Sequence, residues 1–248
     1  MTNPWYNGKV TKIENATANT KRFWIQIPEL NDFEFKSGQF VTLDLPIHEV
    51  KNKRWRSYSI ASAPDGTNTF ELVIVLNEHG AGTPYLFNEI KEGSEIVLRG
   101  PLGKFTMPET LDKDLYLICT GTGIAPFRSM AHSINRFKMP HQQVHIIFGC
   151  RKFEDALYEK EMKALEAELS GFHFHPCFSR ETAPAEGQYK GYVHDVYTQL
   201  IEKNRQADGT PAPAYFYLCG WKTMVDDAKQ KIQDLGYDKK DIHLELYG

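Results

Sequence analysis

The hydrophobic rhythm of this chain changes once, and that change constrains the fold more than any motif. From the amino terminus to about residue 106 the apolar residues mostly recur with period two, as in Phe23, Ile25 and Ile27, in Val41, Leu43 and Leu45, and in Phe70, Leu72, Ile74 and Leu76. Period two is the signature of strands. Turn-forming stretches such as KSGQF, APDGTN, NEHGAG and KEGSE break these runs at short intervals, so this half reads as antiparallel strands closing into a small barrel or sandwich. Beyond GPLGKFTMP, strand-like runs alternate with helical ones. LYLIC precedes a helical face of Ile124, Phe127, Ala131, Ile134 and Phe137; VHIIFGC precedes Tyr158, Met162, Leu165 and Leu169; FHFHPC and YFYLC follow; then come a helix carrying Val225, Ala228, Ile232 and Leu235, and finally IHLELY. Strands alternating with helices imply right-handed crossovers and a parallel sheet covered on both faces. Two domains are therefore expected, 1–106 and 107–248, the second an α/β doubly wound parallel sheet.

Charge excludes some function classes. With 29 Lys+Arg against 32 Asp+Glu, the formal net charge is -3, and nothing global points to nucleic acid or a membrane surface. A charged partner must be met by a local patch, and KNKRWR, Lys51 to Arg56, is the densest cationic stretch, unless it is only a solvated loop. No apolar run approaches a signal peptide or a membrane span, which leads to the expectation of a soluble, cytoplasmic protein; a monomer is expected as well. The four cysteines, at 119, 150, 177 and 219, form no C-x-x-C pair, so no local zinc or iron–sulfur signature is present and no metal is expected. All four fall at the carboxyl ends of expected strands, the edge outside which α/β sheets hold their ligands. A small buried hydrophobe would favour the same positions.

Three stretches carry chemistry. In CTGTGIAP, Cys119 to Pro126, two glycines let the backbone turn tightly where a strand meets a helix, and the helix start offers unpaired N–H groups to an anion such as a diphosphate. An ordinary strand–helix turn would read the same way. In RSYSIAS, strand alternation puts Arg56 and Tyr58 on one face, an anion-binding fork beside a flat aromatic surface. HGAGTPYLFN is a second Gly-rich turn entering a short helix.

RSYSIAS, HGAGTPYL, GPLGKF, CTGTGIAPFRSM, CFSRE, YLCGWKTM and the ending LELY together resemble, in order and spacing, the ferredoxin–NADP reductase family, nearest its plant-type branch. The resemblance covers essentially the whole chain. It implies a flavin-binding antiparallel β-barrel followed by a nucleotide-binding domain, with FAD and NADPH as cofactors. It implies that Arg56 holds the FAD diphosphate, that Tyr58 packs on the flavin, that Ser59 hydrogen-bonds near flavin N5, and that Gly82 and Thr83 contribute to the diphosphate site. Gly121, Thr122 and Gly123 would receive the pyridine nucleotide, with Gly220 beside them. Ser179 and Arg180 supply a hydroxyl and a fixed cation for a ribose monoester phosphate, and Tyr192 would stack on adenine. Cys219 and Glu245 would lie beside the nicotinamide, and Tyr247 over the flavin face; Gly248 follows where the plant-type pattern ends on tyrosine. The implied activity is electron exchange between NADPH and a one-electron carrier, ferredoxin or flavodoxin, steered by Lys51, Lys53, Arg54 and Lys104. KGYVHD also resembles NADH-using oxygenase reductases, and a non-catalytic nucleotide- or flavin-binding regulatory subunit is the reading from another class.

Overall fold

The computed structural model describes residues 4–247, which divide into two compact units: 4–107 with 125–133, and 108–124 with 134–247. Six strands build the first unit: β1 (Trp5–Thr17), β2 (Thr20–Gln26), β3 (Phe40–Asp44), β4 (Trp55–Ser59), β5 (Thr69–Val75) and β6 (Glu95–Leu102). Their order is β4-β3-β6-β1-β2-β5, every ladder is antiparallel, and a single Ile60–Leu72 bridge joins the two ends. That bridge closes the strands into a barrel, the first of the two expected forms, and closure removes the free edges that invite aggregation. The period-two residues fill the interior: Phe23, Ile25, Val41, Leu43, Phe70, Leu72 and Ile74 share one buried cluster. One short helix, α1 (Gly82–Asn88), interrupts the strands, burying Leu86.

In the second unit, strands β7 (Asp114–Thr120), β8 (Val144–Cys150), β9 (Phe172–Phe178), β10 (Tyr189–Lys190), β11 (Ala214–Trp221) and β12 (Ile242–Tyr247) form a wholly parallel sheet of order β10-β9-β8-β7-β11-β12. Helices α2 (Ile124–Arg136), α3 (Glu159–Glu168), α4 (Val193–Lys203) and α5 (Lys222–Asp234) make the crossovers. The four expected apolar positions Ile124, Phe127, Ala131 and Ile134 of α2 are all buried, whereas Phe137 lies past the helix end and is 56% exposed. Helix α4 is absent from the reading of the rhythm, although Val193, Val196, Tyr197 and Ile201 recur at helical spacing and are buried. The first two to three turns of α2, Ala125–Ser133, group with the first unit. Among the described residues no helix is long and apolar enough to cross a membrane.

Candidate active site

The carboxyl edge of the parallel sheet gathers the residues of the second unit. Tyr192 caps α4 just after β10 and is 67% exposed. Ser179 and Arg180 directly follow β9, and the main chain binds them to the end of the next strand: the Ser179 N–H donates to Cys150 O at 3.0 Å and the Arg180 N–H to Arg151 O at 2.9 Å. The Gly191 N–H donates to Phe178 O at 3.0 Å, which draws Tyr192 to the same corner. Arg151 and Lys190, both exposed, add two cations that the sequence motifs did not single out. The 3-10 turn Gly121–Gly123 follows β7. Beyond it lies β11, where Cys219 is in register with Cys119 on one side and with Glu245 of β12 on the other, and Trp221 is in register with Tyr247.

The glycines of this edge divide the work between ligand and fold. A Cβ on Gly123 would lie 2.4 Å from Cys219 O, so Gly123 is required by the neighbouring backbone. Gly220, at φ +152, sits against side chains instead: a Cβ there would come within 2.5 Å of Thr120 Oγ1. Gly121, at φ +54, has nothing within 4 Å of its Cβ position, and it is the member of the turn that leaves open space for a ligand. Thr120 Oγ1 is buried with no partner among the described residues, an orphaned hydroxyl at the strand end just before that turn. Open space and an unused donor fit a bound diphosphate.

Cys219 is fully buried, and its thiol is held well above the ordinary range. Burial is the main cause and the Glu245 charge adds to it, while hydrogen bonding from Tyr247 works the other way. Burial favours the protonated thiol, which suits a packing and orienting role. Spacing cannot reveal this grouping, since Cys219, Glu245 and Tyr247 meet only through the β11–β12 register.

The first unit presents a second group. Arg56 and Tyr58 alternate along β4, as expected, with Ser59 buried at its end. Arg56 Nη1 donates to Lys53 O at 3.0 Å and Trp55 O at 2.8 Å, and its side chain lies where a Cβ on Gly82 would be, 3.0 Å from Cγ and Nε. Gly82 is thus the residue that lets the α1 turn close over the guanidinium, a cradle that fits a flavin diphosphate. Thr83 Oγ1 donates to Asn77 O at 3.1 Å and accepts the Asn77 N–H at 2.8 Å, so its hydroxyl clasps the loop into α1. Burial pushes the Tyr58 phenol up to about 12, with the Arg56 charge pulling the other way, so it stays protonated. Lys51 and Lys53 are exposed on a 3-10 turn beside β4, whereas Arg54 is paired with Asp44 at 2.8 Å. Gly248 lies outside the described residues.

Comparison with known proteins agrees with this two-part arrangement. The oxidoreductase FAD-binding domain family matches residues 7–107, and the oxidoreductase NAD-binding domain family matches residues 117–230. These define a flavin- and nicotinamide-nucleotide-binding oxidoreductase. A ferredoxin–NADP reductase B from Sorangium cellulosum is 35% identical over 87% of this chain and 86% of its own length, and the chain belongs to the ferredoxin–NADP reductase family. The crystal structure of a ferredoxin NADP+ reductase from Neisseria gonorrhoeae with bound FAD and NADP superposes with a TM-score of 0.80 at 27% identity, covering 98% of both chains. A glycine betaine monooxygenase reductase subunit from Pseudomonas aeruginosa is 29% identical over 100% of this chain, which spans 66% of that longer protein.

Proposed function

We propose that this protein exchanges electrons between NADPH and a one-electron carrier, ferredoxin or flavodoxin, with FAD as the intermediary. The observation that carries the reading is the lateral order of groups along the parallel sheet. Tyr192, then Ser179 with Arg180 and Arg151, then Gly121–Gly123, then Cys219 with Glu245, follow the order in which NADPH offers adenine, ribose phosphate, diphosphate and nicotinamide. From β9 to β11 is three strand steps, roughly 15 Å at the usual spacing, about the span of an extended dinucleotide. Ser179, Arg180 and Arg151 supply the donors that a phosphomonoester needs and a plain ribose does not.

Bound flavin supplies the step from hydride to single electrons. The side chains supply position and proton control. Arg56 and Gly82 hold the flavin diphosphate, with Thr83 ordering the turn; Tyr58 packs on the ring, and Ser59 hydrogen-bonds near N5. In the second unit Cys219 and Glu245 would orient the nicotinamide, Glu245 would hold a proton and Tyr247 would offer a stacking ring; in the first unit Ser59 would hold a proton near the flavin. Domains 1–106 and 107–248 act as the flavin and nucleotide modules of a monomer working in the cytoplasm. Lys51 and Lys53 steer an acidic carrier, Lys104 assists, and Arg54 contributes less because Asp44 offsets its charge.

Likeness to the monooxygenase reductase subunit over the whole chain favours a second reading, an NADH-dependent component of an oxygenase system. Side-by-side kinetics with NADPH and NADH, together with identification of the released flavin, separates the two. We expect FAD and a clear preference for NADPH; equal use of NADH returns the second reading, and a flavin that never bleaches under either nucleotide returns the regulatory one.

A further inference from the structure

We propose that Arg128 is a positioning residue that transmits nucleotide occupancy at Gly121–Gly123 to the flavin-side segment Ser59–Ser62. The inference rests on the assignment of those two segments to nucleotide and flavin. Its basis is a buried polar seam along the first turns of α2. Glu71, 2% exposed, is gripped by Arg22, with Nε to Oε1 at 2.6 Å and Nη2 to Oε2 at 3.0 Å. That bidentate fork already neutralises the carboxylate. Arg128 Nη1 nevertheless donates to Glu71 Oε2 at 3.1 Å, and also to the main-chain carbonyl of Ala61 at 2.8 Å.

A second guanidinium on one buried carboxylate costs desolvation without adding needed charge balance. What it adds is the hold on Ala61, two residues beyond Ser59. The neighbouring residues pull on the same segment: Ser129 Oγ donates to Ser62 O at 2.6 Å, and Ser37 Oγ donates to Ser129 O at 3.1 Å. From the barrel side the Ala61 N–H donates to Glu71 O at 2.8 Å and the Glu71 N–H to Ser62 Oγ at 3.0 Å. Residues 61 and 62 are therefore bound on one side by β5 and on the other by α2. Helix α2 starts at Ile124, directly after the turn that ends at Gly123, and Arg128 stands four residues further along it. A shift of that turn moves the atoms that hold Ala61 and Ser62.

The test compares Arg128→Met with Arg22→Met, which loosens the same carboxylate from the side that has no link to α2. The full chain loaded with FAD is titrated with NADP+ while the visible spectrum of the flavin is followed. NADPH kinetics with ferricyanide and hydrogen exchange of the Ala61 amide accompany the titration. In Arg128→Met we expect retained FAD, a nucleotide-induced flavin signal reduced about threefold, and kcat down about tenfold with KM within about twofold. Nucleotide should also no longer change the Ala61 exchange rate. Arg22→Met should lose stability and keep the spectral response. Ser129→Ala, which leaves Glu71 fully paired, should move the same readouts in the same direction by less, and it carries the test if Arg128→Met fails to fold. A wild-type spectral response in Arg128→Met, or equal losses in Arg128→Met and Arg22→Met, overturns the inference. A wild-type protein whose flavin does not respond to NADP+ at all overturns the assignment beneath it.

Discussion

The two units bury polarity in opposite ways. Inside the first, the buried carboxylate Glu71 is compensated by two guanidinium groups. Inside the second, the buried polar layer is a row of imidazoles: His145 stacks between Tyr116 and His173, its Nδ1 lies 3.1 Å from His175 Nε2, and His175 Nδ1 lies 3.2 Å from the Tyr189 hydroxyl. His145 Nε2 is buried without a partner among the described residues. Paired charges tolerate a change of pH as long as both partners stay ionised, while a neutral imidazole layer fails as soon as protons are plentiful.

Acid is therefore the sharpest way to separate the units. Burial, reinforced by His175 and His173, pushes His145 down to about 3; burial and His173 push His175 down to about 4. Both rings titrate lower in the folded chain than the ordinary 6.5, so as pH falls below that value the unfolded chain takes up protons first. Stability is complete above about 6.5 and drains until the folded rings protonate near 4 and 3. Each shift corresponds to on the order of 3 to 5 kcal/mol, a large part of a domain's stability. Denaturant titrations from pH 7 to 4 should show the second unit losing stability first, and His145→Phe should flatten the slope. Parallel loss in both units would remove the contrast.

The units also hold their candidate ligands differently, one with side chains set on a strand and the other with main-chain turns. Gly123→Ala would drive a Cβ to 2.4 Å from a backbone carbonyl, with no flexible side chain to give way. It should cost the second unit about 3 kcal/mol or more and nucleotide affinity on the order of a hundredfold, with flavin retained. Gly121→Ala meets only its positive φ and should cost about 1 kcal/mol. On the other side of the comparison, Arg56→Ala removes a charged hydrogen-bonding fork and should weaken flavin retention about tenfold to a hundredfold. Dialysis followed by flavin quantitation, beside calorimetry of the nucleotide, reads both; a Gly123→Ala protein that binds nucleotide normally would show that the turn is not set by the neighbouring strand.

What the sequence disclosed follows the range of each signal. The change of rhythm gave both sheets because alternation and helical spacing are local, and Arg56 with Tyr58 followed from alternation alone. Helix α4 is masked by the Gly- and charge-rich turn immediately before it, although Val193, Val196, Tyr197 and Ile201 recur at helical spacing. Arg151 and Glu71 carried no local mark, and within CTGTGIAPFRSM nothing local separates Thr120 or Arg128 from its neighbours: the Thr120 hydroxyl is distinguished by having no partner among the described residues, and Arg128 meets Glu71 only through the fold. The register that joins Cys219 to Glu245 is likewise a property of the sheet. Resemblance reached those two residues where spacing could not.

A modest effect on nucleotide use is expected at the corner of β8, β9 and β10. Two guanidinium groups on adjacent strand ends, Arg151 and Arg180, stand where the proposed ribose phosphate would need neutralising, and both are exposed. Removing one leaves the other, so Arg180→Gln should lower kcat/KM for NADPH by about tenfold, near 1.4 kcal/mol, rather than abolish it. NADH lacks the phosphate and should be used as before. The loss should shrink as salt rises, because the contact is exposed and screened, and the Arg151→Gln, Arg180→Gln double variant should lose more than either single variant. If Arg180→Gln slows both nucleotides equally, the corner supports the fold rather than the phosphate, and the second unit chooses its nucleotide elsewhere along the sheet.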